Sequence, residues 1–124
     1  MTPYTFNSEN LVLVQYPFEV PFEQGRNNNG AGYICSRYGG HLPIPNTTQE
    51  VNRLASKYGD AWTAYRWDSG YLRDENEEIV TFNYDGLFVN KAKDSHICVM
   101  VFNNAIPKLK FVDCSNKLKV ICIV

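Results

Sequence analysis

The chain has 124 residues, 44% hydrophobic and 14% aromatic, with a net charge of −1 and an isoelectric point near 6.1. That length suits about one domain, and that apolar content excludes a disordered chain. The near-neutral balance gives no bulk attraction for nucleic acid or an anionic membrane, and no apolar run approaches the roughly eighteen residues that span a bilayer.

Residues 1–10 read as a polar, extended lead-in, and Met1-Thr2-Pro3-Tyr4 lacks the basic start and apolar stretch of a secretion signal. The domain is therefore expected to be joined to further domains, with any signal lying outside these residues. Leu11 to Tyr16 is apolar and β-branched, a predicted strand. Pro17 and Pro21 bracket Phe18, Val20 and Phe22, which predicts an extended edge segment. Tyr4, Phe6, Tyr16, Phe18 and Phe22 are expected to pack or to contact a preceding domain, and Glu23 to Gly30 reads as a loop. Ala31, Ile34, Cys35 and Tyr38 then recur on one helical face, with Asn28 or Asn29 as cap and Gly39-Gly40 as the stop. After the rigid His41-Leu42-Pro43-Ile44-Pro45, Thr47 and Glu50 form a capping box. Val51, Leu54, Ala55 and Tyr58 continue that second helix, and Gly59 closes it. Asn46-Thr47-Thr48 is also a glycosylation sequon, although a helix start accounts for it.

From Ala61 the period changes to two. Trp62, Ala64 and Arg66 oppose Thr63, Tyr65 and Trp67, as on a strand. Residues 68–94 are polar and turn-rich, with weak strand signals at 71–73 and 79–82 and a turn signal at Asp85-Gly86. Ile97 to Phe102, Leu109 to Asp113 and Lys119 to Val124 are the closing strands. Lys108, Lys110, Lys117 and Lys119 read as a solvated face or a protected sheet edge.

Four cysteines allow three pairings. Cys-x-x-Cys and His-x-x-x-His are both absent, and His41 and His96 lie far apart, so zinc is set aside for disulfides and an oxidising compartment. A hairpin folded at Asn103 to Lys108 places Cys98 opposite Cys114 and leaves Cys35 for Cys122.

At this point the chain resembles a C-type lectin-like domain over about 20–124. Ala31 to Leu42 resembles the family's first helix with its Gly-Gly-x-Leu exit, and Trp62-Thr63-Ala64-Tyr65 its Trp-Ile-Gly-Leu strand. Cys98-Val99, Phe111-Val112-Asp113-Cys114 and Ile121-Cys122 resemble its closing pattern. The resemblance implies the same two disulfides, Cys35–Cys122 and Cys98–Cys114. It also implies an α+β fold with two helices, a small mostly antiparallel sheet and a long irregular loop. Sugar-binding members carry Glu-Pro-Asn or Gln-Pro-Asp in that loop, whereas residues 46–106 hold no proline here. Phe111-Val112-Asp113 stands where the family's Trp-Asn-Asp triplet is expected, and one surviving carboxylate falls short of the six to eight oxygens calcium takes. No cofactor is therefore expected, calcium included, and Asp113 reads as a structural acid. His41-Leu42-Pro43, Thr48-Gln49-Glu50-Val51, Lys57-Tyr58-Gly59 and Trp67 further resemble the tip domains of intimin and invasin, bacterial adhesins that bind host receptors. Those tips carry one disulfide, so the second pair resembles animal members instead.

For catalysis, Asp94-Ser95-His96 is the local candidate for a nucleophile, and adjacent strand positions would keep Ser95 and His96 apart. The acidic run Asp74-Glu75-Asn76-Glu77-Glu78 reads as a solvated turn, with a weak calcium site there as the rival. The expected function is a non-enzymatic extracellular or cell-surface recognition and adhesion module. Its partner is a cell-surface protein or a glycan, bound through the 67–94 loop surface without nucleic acid or membrane insertion. The candidate contact residues are Arg66, Trp67, Tyr71, Arg73, Tyr84, Phe88 and Lys91, because aromatics and arginine dominate contact energies. A calcium-dependent lectin is the alternative, followed by an enzyme and then a purely structural domain.

Overall fold

A computed structural model describes residues 18–124 in full and, before them, the backbones of two short strands. These are β1 (Tyr4–Asn7) and β2 (Val12–Gln15), paired antiparallel with Tyr4 opposite Gln15. The β2 strand was expected; the lead-in is itself paired, because Tyr4 to Asn7 finds a partner in β2. The packing expected of the Tyr4, Phe6 and Tyr16 side chains lies outside the described residues.

The main sheet is built from β3 (Glu19–Arg26), β4 (Ala61–Asp68), β5 (Tyr71–Arg73), β6 (Cys98–Phe102), β7 (Lys108–Val112) and β8 (Leu118–Ile123). Its order is β3-β8-β4-β6-β7, with β5 hydrogen-bonded to β4. Pairings are antiparallel except β4 with β8, which run parallel at Ala61 and Lys119. Two helices, α1 (Asn28–Arg37) and α2 (Thr48–Tyr58), complete the α+β architecture.

The edge assignment for Phe18 to Phe22 holds, since among the described residues β3 pairs with β8 alone and carries Pro21. The loop expected at 23–30 does not form. β3 instead continues through a register shift to Arg26, opposite Leu118, because an edge strand tolerates polar side chains on its open side. The cap of α1 is Asn27, one residue earlier than expected, and its side chain accepts a hydrogen bond from the Gly30 N–H at 2.8 Å. Ala31 and Cys35 are buried as predicted, while Tyr38 is 59% exposed because the helix has ended there. Thr47 caps α2 by accepting from the Glu50 N–H at 3.1 Å. The Glu50 carboxylate turns to Arg53 rather than back to Thr47.

β4 divides the core. Alternate residues along a strand face opposite sides. Trp62 and Ala64 join Ala31, Cys35, Leu42, Cys98, Met100, Val112, Val120 and Cys122 on the α1 side. Tyr65 and Trp67 join Val51, Leu54, Leu72, Leu87, Val99, Val101, Leu109 and Phe111 on the α2 side. Both disulfides, Cys35–Cys122 and Cys98–Cys114, lie on the α1 side. Cys98 stands opposite Val112, so Cys114 reaches it from two residues past the end of β7 rather than from directly across.

Of the weak strand signals, 71–73 forms β5. Residues 79–82 form no strand: Ile79 makes one bridge to Arg73 before the chain leaves the sheet. Asp85-Gly86 opens a single 3-10 turn, Asp85–Leu87. Lys108 and Lys110 lie on the edge strand β7 but are only half exposed. Lys108 donates to the Gly86 carbonyl at 2.7 Å, and Lys110 lies 4.5 Å above the Phe102 ring.

Candidate functional site

The long connection between β5 and β6 folds back over the α2 side of the sheet. Its anchor is Asn90. The Asn90 amide donates to the Phe111 carbonyl at 3.0 Å and accepts from the Phe111 N–H at 2.8 Å, so one side chain pairs with β7 as a strand would. The Val89 N–H adds a bond to the Leu109 carbonyl at 3.0 Å. Phe88 is thereby stacked on Phe111, with centroids 4.4 Å apart and planes within 9°. Trp67 meets Phe111 edge to face at 5.9 Å, and Tyr84 meets Phe88 likewise at 5.9 Å. Phe82 and Tyr65 extend this ladder into the core. Burial pushes the Tyr65 hydroxyl up to about 12, and the negative charge of Asp74 adds to that.

Trp67, Tyr84, Phe88 and Phe111 line a pocket of about 640 Å³, inside the range of ligand sites. Phe111 is its floor at 3% exposed, and Asp85, Val89 and Lys91 stand at its mouth.

The structure brings four of the seven predicted contact residues together here: Trp67, Tyr84, Phe88 and Lys91. It separates the other three. Arg66 and Arg73 are paired across β4 and β5, as are Asp68 and Tyr71, all on the face opposite Trp67 and Leu72. Arg66 donates to the side-chain oxygens of Asn28 and Asn29 at 3.1 and 3.0 Å. Arg73 donates to the Glu77 carbonyl at 3.0 Å, and its Nε lies 3.6 Å from Asp68. Tyr71 is exposed at the hairpin. Sequence reasoning assigned Phe111 to the closing pattern and passed over Asp85, Val89, Asn90 and Ala92. Alternation along β7 puts Phe111 on the same face as Leu109, a signal that could have found it, but no local signal in Asn90 announces a two-way clamp.

On the Arg66 face lies a second cleft of about 410 Å³, between the start of α1, the 40–42 strap and the 74–77 turn. His41 Nδ1 is 3.0 Å from the Glu75 carboxylate and 2.7 Å from the Leu42 carbonyl.

A model of the Lectin C-type domain matches residues 24–123. The chain belongs to the C-type lectin domain family. Among solved structures, the C-type lectin domain of murine dendritic cell inhibitory receptor 2, in complex with N-glycan, superposes with a TM-score of 0.72 at 16% identity, covering 88% of this chain and 94% of that one. The cow C-type carbohydrate-recognition domain of CD23, in the presence of a GlcNAc2Man3 oligosaccharide, gives 0.68 at 19% identity, over 90% and 89%. TC14, a C-type lectin from the tunicate Polyandrocarpa misakiensis, gives 0.66 at 18% identity, over 86% and 96%. At these identities the likeness establishes the fold. Comparison with curated proteins returns no match.

For this lectin domain, calcium is the group the family implies. In the pocket Asp85 is the one carboxylate of the lining, and both ends of the Asn90 amide are engaged by Phe111. Asp113, the triplet's acid, accepts from the Ser115 hydroxyl at 2.7 Å and N–H at 2.8 Å. Those two bonds hold its carboxyl below its ordinary value and tie the turn into β8, as a structural acid would. Among the described residues no three His, Cys, Asp or Glu side chains converge as ligands would. Six to eight oxygens are not supplied by Asp85, Asn90 and Asp113, so these residues do not fit the ion.

One expectation about catalysis needs correction. Ser95 Oγ and His96 Nδ1 do meet, at 3.0 Å, because 93–96 is a tight turn closed between Lys93 and His96 rather than a strand. The pair is at the surface, and neither residue lines the aromatic pocket or the second cleft.

Proposed function

We propose that this C-type lectin domain is a non-enzymatic, extracellular recognition module whose aromatic pocket takes an apolar or aromatic anchor from a cell-surface protein, without calcium. The observation that carries this reading is the lining itself. Trp67, Tyr84, Phe88 and Phe111 supply rigid rings, and the one amide among the lining side chains, that of Asn90, is engaged by the backbone. Such a pocket rewards an apolar side chain over a sugar, since its charged groups, Asp85 and Lys91, stand at the mouth. Asp85 and Lys91 at the mouth give charge selectivity at the rim, where charges steer encounter more than they hold. The tip of a cell-surface adhesin is one setting for such a module, and the sequence flanking this domain decides it.

The test is binding of the multimerised domain to cells. Staining should persist in chelator, fall on protease treatment of the cells, and drop at least about tenfold on Trp67→Ala or Phe88→Ala, as for a central aromatic anchor. Loss of staining in chelator alone would overturn the reading. A saccharide ligand is the second reading, favoured because two structural relatives were solved with glycans.

A further inference from the structure

The second cleft is the more polar of the two. Asn28 and Asn29 of α1 and Arg66 of β4 form one wall; Asp74, Glu75 and Glu77 on the turn after β5 form the other. Arg66 is fixed by bonds to the Asn28 and Asn29 side-chain oxygens. That leaves both amide nitrogens free to donate, and neither has an acceptor among the described residues. Asn28 lines the cleft, so its nitrogen is a donor that a ligand there can use. Across the cleft Asp74 uses one oxygen to accept from the Asn76 and Glu78 N–H groups, which fixes the turn. Glu77 is set there in a left-handed conformation, φ 61°, and its carboxylate has no partner among the described residues. Tyr33 borders the cleft at 62% exposed, with the Arg37 guanidinium 5.7 Å from its ring centroid and 3.4 Å from its hydroxyl. The ring is thus a platform held in place from one side.

The geometry points to a calcium-free site for a neutral saccharide in this cleft. A hydroxyl both donates and accepts, so adjacent sugar hydroxyls can bridge a wall of donors and a wall of acceptors while the apolar face of the ring stacks on Tyr33. An anion would meet three carboxylates, and an ammonium or guanidinium group would meet Arg66. A neutral polyol satisfies both walls. The choice of ligand rests on the saccharide reading above, but the site lies across β4 from the aromatic pocket and does not depend on it.

The experiment is a nitrogen-15 amide titration, in chelator, with the methyl glycosides of mannose, galactose and N-acetylglucosamine. At least one sugar should shift the amides of Asn28, Asn29, Tyr33 and Arg66 saturably. Tyr33→Ala, a surface change, should weaken that sugar about tenfold, while Tyr38→Ala, further along the same helix, should not. The proposal is overturned by saturable shifts confined to Phe88 and Lys91, or by none with all three sugars. It is equally overturned if a lysine-rich peptide binds the cleft amides more tightly than any sugar, which would make the site one for basic segments. Cell staining through the aromatic pocket is read separately, so either reading can fail without the other.

Discussion

Gly40 sits where the strap leaving α1 crosses the end of β8. The His41 N–H donates to the Ile123 carbonyl at 3.0 Å, and the Ile123 N–H donates to the His41 carbonyl at 2.7 Å. A Cβ on Gly40 would lie 2.1 Å from the Ile123 oxygen and 2.6 Å from a Val124 methyl. The tightest tolerable approach is 3.0 Å, so the backbone must separate by roughly 1 Å. That movement breaks the two-bond bridge, at about 1 kcal/mol per bond, and adds overpacking of about 1–3 kcal/mol. Gly40→Ala should therefore cost about 3–5 kcal/mol, and a domain of this size loses about 4 °C of Tm per kcal/mol. Gly32, inside α1 with nothing within 4 Å of its Cβ position, is the control. Gly32→Ala should stabilise by up to about 1 kcal/mol through helix propensity alone. Urea titrations of both variants under oxidising conditions measure the difference. A Gly40→Ala midpoint equal to that of the parent would refute the close-approach reasoning.

Two further outcomes follow from the geometry. Asn90→Ala removes both bonds to the Phe111 backbone and should cost about 2–3 kcal/mol, with faster hydrogen exchange concentrated at 88–91 and 111; uniform acceleration over the whole chain would show that the clamp is not local. Glu19 on β3 reaches Arg53 at 3.0 and 2.6 Å and Tyr58 at 2.9 Å on α2. Burial pushes its carboxyl up, but hydrogen bonds from Arg53 and Tyr58 and the charges of Arg53 and Lys57 outweigh that and leave it below 4.5. A carboxyl lowered in the folded state contributes stability that is present above its unfolded value and is lost as pH falls through the folded one. Stability should fall with acid below about pH 4.5, and Glu19→Gln should flatten that limb while lowering stability at neutral pH. An unchanged acid limb in Glu19→Gln would assign the dependence elsewhere.

Local chemistry in the sequence determined the elements. Thr47 and Gly59 bound α2, Gly39 ends α1, and the two-residue alternation from Trp62 to Trp67 marks β4, because caps and periodicity act over a few residues. The cysteine spacing carried further, to both disulfides and the family resemblance. The candidate site was legible only in part. Trp67, Tyr84, Phe88 and Lys91 were picked out by residue type, and so were Arg66, Tyr71 and Arg73, which the fold sends to the other side of the sheet. Arg66 and Trp67 are neighbours in the chain, yet one holds Asn28 and Asn29 in the first turn of α1 and the other walls the aromatic pocket. Only the tertiary structure could decide which face each partner occupied, since that depends on strand order and register. The same holds for Asn90, whose partner is 21 positions away on β7, and for Gly40, whose need to be glycine comes from a carbonyl near the other end of the chain. Patterning within a segment is written in neighbouring residues, whereas a clamp or a close approach is a property of two segments that meet only after folding.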